Sequence, residues 1–517
     1  MTRAPWRWMV PAAALLLAAC ASFNLGPPLK VSAPDKASQL RWLDRVSWGA
    51  NGEDAERLSK AGLPAWLREQ LHPGPARLPP QAQAQIDAMT ITQTPFPQLL
   101  ATVESQLRAA AAPMSDDAQK KAAQQLPQDT MNLLSREAQQ RMLLRALYSP
   151  NQLQEQMTWF WMNHFHVSVR KANVRATVGD YEETVIRPNA LGRFRVMLGA
   201  TMRHPAMLRY LDNSVNAVNA INENYARELM ELHTLGVGSG YSQRDVQELA
   251  RILTGIGMTP LGPNAAPPKL KPELQADYVQ QGLFEFNPNR HDYGAKVFLG
   301  QPIRQRGLAE ADEALDRLAR SPATARFISR KIAVYFVADN PPPALVDRMA
   351  ATFLRSDGDI AATLTTMFEA PEFAASLGKK FRDPVHYVVA SVRLAYDQRV
   401  ATNVRPMISW LSRLGEPLYA NETPDGYPLT QEAWASAAQM NARFDIAQAI
   451  GGSGAVLFRT DDKAPLEKPQ YPPLAEAPTV RATLSGMSPD TRGALAQARS
   501  PTEWNTFLLA SPELMRR

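Results

Sequence analysis

The sequence predicts an all-α protein, a large single multi-helical domain with Pro-rich loop insertions and a short β-hairpin. Three observations carry this. Apolar residues recur at spacings of three and four in many segments, whereas strand-like alternation is scarce. The 517 residues are 45% apolar and 21% charged, which supplies a sizeable core and argues against a disordered chain. No repeat of fixed period divides the chain into an array. At roughly 150 residues per domain the length alone suggests about three domains, but the helical segments follow one another without a clear boundary.

Taken in order, residues 1–19 read as a signal peptide. Arg3 and Arg7 form a positive start, and Val10 to Ala19 is an apolar run too short for a bilayer span of about 20 residues. Leu17-Ala18-Ala19-Cys20 resembles a bacterial lipobox, which makes Cys20, the only cysteine, the expected lipidation site. Several acyl chains of the palmitate type make such attachment effectively permanent. Ala21 in place of Asp resembles lipoproteins sorted to the outer membrane. Removal of Arg3 and Arg7 lowers the formal charge from +6 to +4. Residues 20–37, with Gly26, Pro27, Pro28 and Pro34, read as a flexible tether.

The body, 38–450, carries helical periodicity over 53–71, 130–147, 151–166, 189–203, 220–235, 242–255, 307–319, 322–338, 343–355, 384–397 and 430–449. Ser242 to Asp245 has the spacing of a capping box. Pro-rich stretches at 73–80, 260–272, 341–343 and 465–478 read as breaks, and short strands are expected within 260–300. Residues 451–517 read as a Pro-containing loop and C-terminal helices packed on the main domain.

Some polar residues fit their helices poorly. Advancing about 100° per residue from Glu223 places Glu223, Arg227, Glu231, Asn224 and Glu228 within an arc of about 140°. His233 falls on the opposite, apolar side. The plain reading of the polar arc is a solvated face with Glu223–Arg227 and Arg227–Glu231 pairs, worth a few tenths of a kcal/mol each. The sharper reading is a carboxylate cluster on a cleft wall. His164 lies in the apolar stripe of 151–166, beside Asn163. Lys331 shares a face with Phe327, Val334 and Tyr335. If buried it needs an acid, and Glu228, Glu231 or Asp292 are the candidates. His291 and Asp292 read as part of a loop.

Several chemistries are excluded. One Cys rules out a disulfide within the chain and any Cys-based metal cage. There is no Gly-x-Ser-x-Gly elbow, no His-Glu-x-x-His, no P-loop and no Gly-x-Gly-x-x-Gly. The small, unclustered charge excess argues against nucleic acid as a partner.

Phe160 to Phe165, Asn222 to Val237, Gly240 to Gly255 and His291 to Gly300 together resemble a bacterial family catalogued as domain of unknown function 1800. Phe327 to Phe336 and Pro424-Asp425-Gly426-Tyr427 followed by Trp434 add to this. Ile256 stands where the family commonly has Trp, and Gly238-Ser239-Gly240 replaces its glycine pair. The resemblance implies a large helical exported protein, often encoded beside sulfatase-like or phosphatase-like exported proteins.

The family's polar positions fall on Asn163, His164, Glu223, Asn224, Arg227, Glu228, Glu231, His233, Asp245, Arg251, His291, Asp292 and Lys331. One composite polar site is therefore expected. His164, Glu228, Glu231, His233, His291 and Asp292 are its catalytic candidates, with Asn163, Arg227 and Lys331 as substrate-binding groups. The His and carboxylate inventory allows zinc, iron or manganese, and equally a metal-free acid–base site. The leading expectation is a hydrolase-like cell-envelope lipoprotein acting on an envelope or exported polymer and facing the periplasm. The alternative is a lipid-anchored assembly factor for an exported partner protein, in which the polar cluster only fixes helix packing.

Overall fold

The computed structural model describes residues 29–259, 266–459 and 471–517. The predicted lipid attachment point, Cys20, lies outside them. The described residues are dominated by helices, with two small sheets. No helix among them is long and apolar enough to cross a membrane.

The helices start where local chemistry favours a start. Asp35 caps helix Lys36–Val46 in a reciprocal capping box with Ser38, and Ser242 and Asp245 form the expected box at Gln243–Ile252. The proline excess has the same meaning. Pro80, Pro205, Pro322, Pro343, Pro384, Pro478, Pro489 and Pro501 each stand in the first turn of a helix. There the missing N–H is not needed and the fixed φ suits the helix. Three of the four Pro-rich breaks therefore run directly into α-helices, and 260–272 runs into the 3-10 helix Pro272–Asp277. The segment 53–71, read as one helix, is two, Gly52–Ala61 and Leu63–Leu71, divided at Gly62 with φ 76°.

The expected strands occur. Phe284–Phe286 pairs antiparallel with both Val279–Gln281 and Ile256–Met258. Val297–Phe298 and Gln301–Pro302 form a two-residue hairpin in which Leu299 and Gly300 both have positive φ, as a type I′ turn requires.

One contiguous apolar core runs from Leu40 to Met515. Helix Gln152–His164 is buried along its whole length. Helix Pro501–Leu509 lies along Ala437–Gly452, and Asn505 donates to the Gly451 carbonyl at 3.0 Å. Arg517 is buried and donates to Gln156 Oε1 at 2.8 Å and to the Tyr335 carbonyl at 2.9 Å. The last residues thus belong to the core that holds the central helix.

Candidate active site

Helix Gln152–His164 ends with Asn163 and His164, both buried. Asn163 is the clamp for a distant loop. Its Nδ2 donates to the Tyr427 carbonyl at 2.9 Å, and its Oδ1 accepts from the Tyr427 N–H at 2.6 Å. Gly426 has φ 78°, and a Cβ there would lie 2.6 Å from Asn163 Oδ1. Only glycine fits both the left-handed conformation and the close approach. The Pro-Asp-Gly-Tyr motif is therefore the device that sets Asp425 over the end of this helix.

His233 follows helix Asn224–Glu231, whose C-terminal turn widens. The His233 N–H donates to the Glu228 carbonyl at 3.1 Å, and the Thr234 hydroxyl donates to the Leu229 carbonyl at 2.6 Å. Gly236, with φ 86°, leaves room for the Phe327 ring, which a Cβ would approach to 2.9 Å. This turn aims the His233 carbonyl at His164 Nε2, 3.1 Å away. A carbonyl only accepts, so Nε2 carries the His164 proton and Nδ1 presents a lone pair. Burial, then the Lys331 charge, pushes His164 well below its usual range; the same two causes push His233 down to about 3. The two rings lie 6.0 Å apart in an aromatic setting of Phe160, Trp161, Phe165 and Phe327. His164 Nδ1, His233 Nε2 and the Tyr225 hydroxyl are all buried without a partner among the described residues. Such orphans are uncommon in folded proteins.

Lys331, on helix Pro322–Phe336, stands in front of these imidazoles with its Nζ 5.6 Å from the Phe327 ring centre. It is densely surrounded yet keeps some exposure. Burial pushes its ammonium down to about 8, against a partial offset from Asp425. The expected acid was Glu228, Glu231 or Asp292. The carboxylate that acts on Lys331 is instead Asp425, which comes from a loop that helical periodicity cannot place.

Asp425 also raises Glu228 and Tyr210 and acts on His166, so these groups surround one carboxylate. Burial first, then the neighbouring Glu231, pushes Glu228 above the usual carboxylate range, with Arg227 opposing. The Tyr241 hydroxyl hydrogen-bonds Glu231. Arg227 pairs with Glu223 at 3.1 Å and Glu231 at 3.7 Å, as the helical wheel anticipates, and donates to Gln243 at 2.9 Å. His166 Nε2 faces the Asn421 carbonyl at 3.1 Å and helps hold the Asp425 loop.

His291 and Asp292 stand in a second group that shares none of these partners, which corrects the expectation of one composite site. His291 lies between the Thr254 carbonyl, 2.8 Å from Nδ1, and Glu310, 3.1 Å from Nε2. Glu310 also binds Lys296 Nζ at 2.6 Å. Burial opposes ionisation of Glu310, but hydrogen bonds from His291 and Lys296 prevail and hold it below its usual range. Asp292 accepts from Arg251 Nε at 2.7 Å and from the Gly294 N–H at 2.8 Å. Each of these groups is satisfied, and the cluster ties the strand-bearing insertion to helix Leu308–Ala319.

Among the described residues no three His, Cys, Asp or Glu side chains gather in a way that could hold a metal ion. The sequence pointed to Asn163, His164, Glu228, Glu231, Arg227, His233 and Lys331, and these do share one region. It missed Asp425, Tyr210 and Tyr241. Asp425 stood in the Pro-Asp-Gly-Tyr motif that carried part of the resemblance, which was the available signal.

No curated protein and no solved structure matches the chain. The family described as "Protein of unknown function (DUF1800)" matches residues 41–516, so the resemblance extends past residue 450 to include the C-terminal helices. The match takes in the Asn163 clamp, the His164–His233 pair, Lys331 and the Asp425 loop, and covers nearly the whole chain, which therefore belongs to this family.

Proposed function

We propose that the chain is a hydrolase-like acid–base enzyme of the cell envelope, with Lys331 and Glu228 as its working groups. The observation that carries this is a partly accessible lysine with no ion pair among the described residues, set before two buried imidazoles and sharing the influence of Asp425 with Glu228. Lysine is easily converted to its neutral amine by burial, and groups with displaced proton affinities concentrate at reactive sites. The neutral amine takes a proton from an attacking water. Glu228, whose hold on its proton is strengthened by burial and Glu231, gives a proton to the leaving oxygen from its acid form, so that water adds across the broken bond. His164 and His233 are positioning residues that keep the floor uncharged, and Asp425 sets the amine. Arg227 holds Glu231 against Glu228. The proposed substrate is an envelope or exported polymer.

Cys20 is proposed as the lipid anchor and the outer membrane, on its periplasmic side, as the location. An exported sulfatase-like or phosphatase-like protein is the proposed partner. These readings rest on the lipobox resemblance and the family context.

The test is product release from isolated envelope polymers by the purified protein, beside Lys331→Met and Glu228→Gln. Loss of at least 100-fold in both variants at unchanged melting temperature is expected. No turnover by the unaltered protein, with Lys331→Met and Glu228→Gln both lowering the melting temperature, would leave the cluster as a packing network.

A further inference from the structure

A cavity of about 610 Å³ opens between helix Lys36–Val46, helix Pro384–Tyr396 and the C-terminal segment 479–516. None of its lining residues belongs to the Lys331 cleft, so it is a separate site. Its volume falls within the roughly 300–1,000 Å³ typical of small-molecule sites.

The floor is apolar, formed by Leu40, Leu394, Val480 and Leu508 among others. The rim is cationic, with Arg41, Lys379, Arg382 and Arg516 against Asp44 and Glu513. Both carboxylates are already engaged. Asp44 pairs with Arg382 at 2.6 Å, and Glu513 accepts from the Ser488 N–H and the Thr491 hydroxyl, each at 2.8 Å. Arg516 donates to the Lys379 carbonyl, a neutral acceptor, at 2.7 Å. Arg41 and Lys379 are exposed and make no ion pair among the described residues. Gly378, the residue before Lys379, packs on the Arg41 stem, since a Cβ there would lie 3.8 Å from Arg41 Cδ. Arg41, Lys379, Arg382 and Arg516 outnumber Asp44 and Glu513 on this lining, so an anion here is drawn by the excess positive charge.

We propose that this cavity binds a long-chain carboxylate, its alkyl chain in the apolar trough and its carboxylate between Arg41 and Lys379. The apolar floor supplies affinity in proportion to the chain buried, and the excess of cations on the lining selects the ionised head.

The test uses the full chain carrying Cys20→Ser, freed of lipid, with hexadecanoate and hexadecan-1-ol at submicellar concentration in a fluorescence-displacement titration. The acid should saturate one site and bind at least tenfold more tightly than the alcohol. Arg41→Glu with Lys379→Glu should weaken the acid at least tenfold and leave the alcohol unchanged. Ala482→Trp, which fills the trough, should abolish both. The charge reversals are at exposed positions, so they report even if the tryptophan variant fails to fold. Absence of saturable binding, equal affinity for acid and alcohol, or no effect of the double charge reversal would overturn the proposal.

Discussion

At the residue scale the cleft depends on a few side chains whose surroundings displace their proton affinities. Lys331 loses its proton more easily because burial disfavours the ammonium. Asp425 is the carboxylate that opposes this. Asp425→Asn should therefore lower the Lys331 midpoint further, checked by NMR of the isotopically methylated amine. Gly426→Ala should destabilise the protein by at least about 2 kcal/mol, through left-handed strain and collision with Asn163, measured by urea denaturation. The histidines and Lys331 were legible in the sequence because an ionisable residue on an apolar helical face is anomalous. Asp425 was not, because in a loop no periodicity marks a carboxylate as inward-facing.

At the element scale the structure separates a working cleft from a satisfied network. His291, Glu310, Lys296, Arg251 and Asp292 pin the insertion with its small sheets to helix Leu308–Ala319. His291→Ala removes the hydrogen bond that the buried Glu310 accepts from His291, while the Lys296–Glu310 pair remains. It should cost about 1–3 kcal/mol and lower the melting temperature, while the Lys331 titration stays unchanged. The helices themselves were largely legible, since their apolar stripes are long and regular. The Pro-rich break at 73–80 was legible too: residues 73–79 are irregular and Pro80 opens the next helix, since proline resists helix interiors but suits a first turn. Whether Asn163 and His291 served one site or two was not readable, since both are polar residues at element ends. Only the tertiary fold assigns their partners.

At the scale of the whole molecule, one core encloses several neutral imidazoles. Burial is the first cause in each case, and it pushes His233 down to about 3 and His166 and His386 to about 4. The unfolded chain protonates its histidines near 6.5, so between about 4 and 6.5 it binds more protons than the folded chain. Stability then rises with pH, and acid removes it. The melting temperature should fall steadily from pH 6.5 to pH 4, and scanning calorimetry across that range checks this. Lys331 adds the same sign at high pH, with stability rising between about 8 and 10.5. The all-helical architecture was legible from periodicity; the long-range closure of the core by Arg517 was not, since no local pattern signals a contact with Gln156. The most direct measurement on the intact protein is the pH dependence of Lys331 modification by reductive methylation, read by mass spectrometry of its peptide. A midpoint near 8, lost on unfolding, is the expected result. A midpoint near 10.5 in the folded protein, unmoved by Asp425→Asn, would contradict the acid–base site.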